Sequence, residues 1–219
     1  MSPGNGAEYR MIKPPQSPYQ MSRHGWISVA YNQHVWIPCQ PVFPEGFDRS
    51  SWAALYAEEW WSRSTRPHGK REVNALARTL ADMHAYAYSH MAMHMGFLHL
   101  PSLQLAPLLV SFGIWEAEGD RITQLRNLTH ADDPTLMQPP TVEEFSTGQL
   151  GPGLKVLAYT RNKNVITGYL NYAWRSEELA TAVRMFTGAP DLGRLEQAVA
   201  DIEELARAVA WVPWKRGAT

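Results

Sequence analysis

Along the last third of the chain the apolar positions keep two rhythms. Residues 154–160, 165–174 and 179–186 are extended apolar runs separated by the polar turns "RNKN" and "RSEE", the pattern of three consecutive strands in a meander. After "TGAPD" the period changes: Leu192, Leu195, Val199, Ile202, Ala206 and Val209 recur at steps of three and four, with Asp191 placed to cap a helix. A stripe of that kind packs lengthwise on a sheet.

The first two thirds carry weaker versions of the same signals. Two strand-like runs, 26–30 and 35–38, flank residues 31–34, which read as a hairpin turn, and Pro38, Pro41 and Pro44 then end the extended chain. In "FDRSSWAALYAEEWWSRS", Asp48 or Ser50 can cap a helix whose Trp52, Leu55, Tyr56 and Trp60 share one face. A longer helix is predicted from just after Gly69 to Met95, with Val73, Leu76, Leu80, Met83 and Ala87 as its stripe and Gly96 as its stop. Residues 103–115, the turn "EAEGD" and residues 121–128 read as a long β-hairpin. The connector 129–153 is long for a compact domain, and Thr141 and Glu144 have the spacing of a capping box that would open a short helix.

These elements predict an α+β domain: an antiparallel sheet of about six to seven strands packed with three main helices. Residues 1–24 are rich in Pro, Gly, Ser and Gln with no apolar period and read as a flexible tail, residues 25–214 as a single domain, and 215–219 as a short C-terminal tail.

Composition narrows the function classes. Twenty basic and 21 acidic side chains are scattered along the 219 residues, so no field of one sign is built in, and nucleic acid is not an expected partner. No apolar run approaches the roughly 20 residues of a membrane-spanning helix, so no membrane partner is expected either. The single cysteine, Cys39, and the lack of a cationic and then apolar opening segment lead to the expectation of a cytoplasmic protein. Arginine exceeds lysine 15 to 5, a bias of GC-rich genomes.

Two segments carry a family resemblance. The stretch "VWIPCQPVFPEGFDRSSWAALYAEEW" resembles an opening strand and Pro/Gly turn entering a helix, and "GYLNYAWRSEELATAVRMFTGAPDLGRLEQAVADIEELARAVAWV" resembles two final strands, a turn and a closing helix. Together they resemble the PsbP-like fold, especially its actinobacterial members. The resemblance implies the same α+β architecture and a role as adaptor, assembly factor or accessory subunit rather than enzyme. It covers about two thirds of the chain and includes no catalytic motif.

Candidate chemistry is sparse. No GxSxG, HExxH, CxxC, P-loop or GxGxxG spacing occurs. Cys39 in "IPCQP" reads as a small core residue, Glu59 as a carboxylate at the core edge of its helix, and His130, Asp132 and Asp133 in "HADDP" as turn chemistry. The segment "HAYAYSHMAMHMGFLHL" is richer: on an unbroken helix His90 and His94 stand about 6 Å apart on one face, and His99 can fold back after Gly96, a set able to hold a metal ion. Methionine as a gap filler and histidine at a helix C-terminus explain the same composition without a ligand, and that reading is preferred, so no cofactor is expected. Partner contacts are expected instead from aromatic and apolar anchors: Tyr9, Ile12 and Tyr19 along the tail, and Trp61 and Trp214 among nine tryptophans. The expected function is a non-enzymatic adaptor, chaperone or accessory subunit that binds another protein. The alternative is a metal-binding protein or metal-dependent enzyme, and a third reading is a homo-oligomer joined through its tail.

Overall fold

The computed structural model describes residues 9–11, 25–90 and 94–213. Its centre is a seven-stranded antiparallel sheet of order β3-β4-β5-β9-β8-β7-β6, made of β3 (Trp36–Cys39), β4 (Met95–His99), β5 (Leu108–Glu116), β6 (Thr141–Thr147), β7 (Gly151–Asn162), β8 (Val165–Ser176) and β9 (Thr181–Ala189). A three-stranded sheet of order β1-β2-β10 joins β1 (Tyr9–Met11), β2 (Gly25–Asn32) and β10 (Val209–Pro213). The helices are α1 (Arg49–Ser62), α2 (Lys70–His90), α3 (Arg121–Thr129) and α4 (Leu192–Arg207). This is the expected α+β class with its antiparallel sheet, and the described residues add a fourth helix.

The sheet is covered differently on its two faces. On one, α4 lays Leu195, Ala198, Ile202 and Leu205 against Phe112, Tyr172 and Met185, with Ile27 and Val29 of β2 closing the flank. Each of the leucine, isoleucine, valine, methionine and phenylalanine side chains among them, fully removed from water, stabilises the fold by roughly 1.5–3 kcal/mol before entropy is counted. Asp191 opens α4 by accepting from the Arg194 amide at 3.0 Å, as its position predicts. On the other face, α1 and α2 cover the β3–β4 end through Trp52, Trp60 and Leu80 packed on Ile37 and Leu98. The carbonyls at and beyond the edge strand β3 are covered by the same helices. Trp52 donates to Pro38 O at 3.1 Å, Tyr88 to Cys39 O at 2.8 Å, and His84 Nε2 to Gln40 O at 2.9 Å. An edge closed in this way is protected from pairing with another chain.

Several expectations are corrected. Residues 121–128 are not the second arm of a hairpin but α3, because Asp120 caps it by accepting from the Thr123 amide at 2.8 Å and because Ile122, Leu125 and Leu128 step by three rather than two. Thr141 and Glu144 open no helix; they lie on β6, where Phe145 and Thr147 alternate inward and Phe145 pairs with Gly153. The runs on either side of residues 31–34 do turn, through Val35 N–H to Asn32 O at 3.1 Å, but β2 and β3 enter different sheets and do not pair with each other. Helix α2, described over Lys70–His90, does not reach Met95, since the His94 N–H already donates to Phe112 O at 2.7 Å and Met95 opens β4. Within the segment read as a tail, Tyr9–Met11 pair with Met11 opposite Ala30 on β2. On α1, Leu55 is 52% exposed, its expected place in the stripe being taken by Ala53 and Ala57.

Candidate functional site

The two histidines of the metal reading whose side chains are described, His94 and His99, stand at opposite ends of β4. The side chain of His90, in α2, lies outside the described residues. His94 stands at the head of β4, where its Nδ1 accepts from the Ile114 amide at 3.1 Å. His99, at the far end of β4, points into the α4 layer: Arg194 Nη2 donates to its Nδ1 at 2.8 Å, so its Nε2 carries the proton and donates to Asp201 at 2.7 Å. Both ring nitrogens of His99 are committed. Among the described residues no group of three or more His, Cys, Asp or Glu side chains is arranged to hold a metal ion.

Of the expected partner anchors, Ile12, Tyr19 and Trp214 lie outside the described residues, and Tyr9 is described only as part of β1. Trp61 is half-buried with its ring stacked on His68, centroids 4.9 Å apart. Glu59 pairs with Arg63, whose guanidinium also lies over the Trp60 ring and donates to Gln33 O, an arrangement at the edge of the core. Cys39 is fully buried, and burial pushes its thiol far above the ordinary range.

Beside the loop that follows α3, the open face of the sheet is left as a cleft of about 620 Å³. That size lies within the range of ligand sites. Its floor is a grid set by strand register: Gly113 of β5 faces Arg184 of β9, Phe186 faces both Ser111 of β5 and Asn171 of β8, and Tyr169 of β8 faces Gly188 of β9. Two missing Cβ atoms shape this floor. A Cβ on Gly113 would stand 2.0 Å from Cη2 of Trp115, and one on Gly188 would stand 2.5 Å from Cδ1 of Tyr169, so both rings lie flat only because these positions are glycine. Tyr169 is in turn stacked on Phe186 at 5.8 Å.

The wall is the loop that follows α3. His130 takes the left-handed conformation (φ 55°) that ends the helix, and Asp133 accepts from the Thr135 amide at 2.8 Å and its hydroxyl at 2.7 Å. Asp132 turns away to pair with Arg126. The "HADDP" segment is thus turn chemistry, and the turn it builds sets His130 and Asp133 on the cleft. Burial first and then the Arg184 charge hold the His130 imidazole below its ordinary pKa, against a smaller opposite pull from Asp133. Arg175 fastens the start of α3 to β8 by donating to Glu118 O and Gly119 O at 3.0 Å and to Gln124 at 3.1 Å.

At the centre of the floor, Arg184 sends Nε and Nη2 to one acceptor, Asn171 Oδ1, at 3.2 and 2.7 Å, and lays its guanidinium over Phe186 at 4.6 Å. Burial pushes its pKa down to about 10, with no carboxylate acting in the opposite direction. Sequence reasoning missed Arg184, Asn171, Trp115 and Tyr169, because they come from three strands that only pairing brings together. The one local signal was the small–aromatic spacing of "GIW" on β5 and "FTG" on β9.

No family model matches the chain, and no curated protein matches it in sequence. Among solved structures, it is similar to the solution structure of cyanobacterial PsbP (CyanoP) from Synechocystis sp. PCC 6803, with 11% identity and a TM-score of 0.44 over 97% of this chain and 98% of that one.

Proposed function

We propose that this protein is a non-enzymatic binding module, an adaptor or accessory subunit that works in the cytoplasm and captures a segment of another protein in the cleft beside α3. The observation that carries this reading is Arg184: a guanidinium set into an aromatic floor, answered among the described residues only by an amide oxygen and a ring face, at the centre of an open concavity. A buried cation costs free energy unless it is paired, and a partner's anionic group would supply the missing pair. The polar groups of the wall are largely engaged in holding the loop, as Asp133 is by Thr135, which suits a surface that recognises rather than transforms. The absence of a membrane-spanning helix among the described residues and a single, deeply buried cysteine accord with the proposed compartment.

The test is site-specific photocrosslinking in the native cell, with a benzophenone amino acid at Asn162 on the cleft rim and, as the comparison, at Glu196 on the exposed side of α4. One discrete protein adduct from Asn162, absent from Glu196 and lost on Arg184→Met, is the expected result. Adducts of equal pattern from both positions would overturn the assignment of the cleft as the capturing surface.

A further inference from the structure

The open edge of Arg184 and the charge balance of the cleft narrow what it can hold. Because Nε–H and one N–H of Nη2 are spent on Asn171, the second N–H of Nη2 and one of Nη1 form the edge left to offer two parallel donors, the fork that a carboxylate accepts bidentately. Around it the charged lining groups are Arg161 and Arg184 against Asp133, with His130 held toward its neutral form, which leaves one positive charge in excess. A monoanion balances that set; a dianion overfills it and faces Asp133. Beside the guanidinium, Trp115 lies flat over Gly113 while Tyr169 and Phe186 stack on the other side, so any group carrying the anion rests on an aromatic shelf.

We infer that the cleft binds a monocarboxylate carried on an aromatic or branched apolar body, the carboxylate on the Nη1–Nη2 edge of Arg184 and the body on the Trp115–Phe186–Tyr169 shelf. A free C-terminal residue of a partner chain and a small free organic acid both present this chemistry. The inference rests on the cleft being the working surface and adds the class of group it recognises.

Titration of the ¹⁵N-labelled full chain with N-acetylphenylalanine, its carboxamide, phenyl phosphate and the peptide acetyl-Gly-Gly-Phe with a free C-terminus tests it. The expected outcome is that N-acetylphenylalanine shifts the Gly113, Arg184 and Gly188 amides, binding at least tenfold more tightly than its carboxamide and more tightly than phenyl phosphate. A tighter peptide than N-acetylphenylalanine identifies a chain terminus as the source, and equal affinity identifies a free acid. Arg184→Met, checked by its spectrum to be folded, should lose the acid-over-amide preference. Equal binding of acid and amide, or preference for the phosphate, overturns the inference, and the acid–amide comparison needs no variant. Crosslinking from Asn162 that persists while the acid preference is absent refutes the carboxylate and leaves protein capture standing; an acid preference with no protein adduct does the reverse.

Discussion

Gly113 decides whether the indole of Trp115 can lie along its own strand, and so whether the cleft has a floor. With a Cβ position 2.0 Å from Cη2, Gly113→Val must swing the ring out of place, and the expected cost is about 1–3 kcal/mol of stability from overpacking, read by urea unfolding, together with loss of ligand-induced shifts at Arg184. Arg184 and Asn171 make a sharper pair. Arg184→Met alone strands the buried Asn171 carbonyl and should destabilise by roughly 1–3 kcal/mol, whereas the double change with Asn171→Leu removes both polar groups and should return to within about 1 kcal/mol of the parent. Neither variant should bind the carboxylate. A double variant as unstable as the single one would mean that the pair holds the sheet together rather than waiting for a ligand. None of this was legible residue by residue: Asn171 and Arg184 read as polar interruptions of two strands until register set them diagonally across β8 and β9.

Elements were legible in proportion to the length of their pattern. The β7–β8–β9 meander and the α4 stripe, each sustained over a dozen or so residues, were read with the right type and nearly the right limits. The nine-residue α3 was not, since three apolar residues cannot separate a step of three from an alternation, and its Asp120 cap resembled the turn of a hairpin. This helix carries the cleft wall, so its anchoring matters. Asp120→Ala should cost about 1 kcal/mol through the lost cap. Arg175→Met, which frees Glu118 O, Gly119 O and Gln124, should cost more and speed amide exchange throughout α3 while leaving the α1–α2 amides unchanged. Uniform acceleration across all helices would show that α3 is no separate unit. The limit of α2 was misread for another reason: its helix-like composition runs on to Met95, past the point where His94 already pairs with Phe112 of β5.

At the scale of the whole molecule, the two helical layers are each tied to the sheet region by a neutral histidine. His99 joins β4 to Arg194 and Asp201 of α4, and His84 joins α2 to Gln40 O. Burial is the main cause that holds both imidazoles below their ordinary pKa. A depressed folded pKa means that the unfolded chain binds the extra proton first, so this stability is complete above the unfolded value of about 6.5 and is lost as pH falls through the folded values. Urea midpoints should therefore decline from pH 7 to pH 5, and less steeply in His99→Gln; an unchanged slope would remove His99 from the account. The small sheet has a consequence of another kind. Strand β2 buries Ile27 and Val29 beneath α4 and lies between β1 and β10, Val29 opposite Val209, so an early segment finds one of its two strand partners in a late one. A nascent chain on the ribosome must hold those side chains in water until almost all of the described chain has emerged, and only then can the barrier set by such distant contacts be crossed. During synthesis, the greasy strand β2 is a waiting target for chaperones until β10 emerges to close over it.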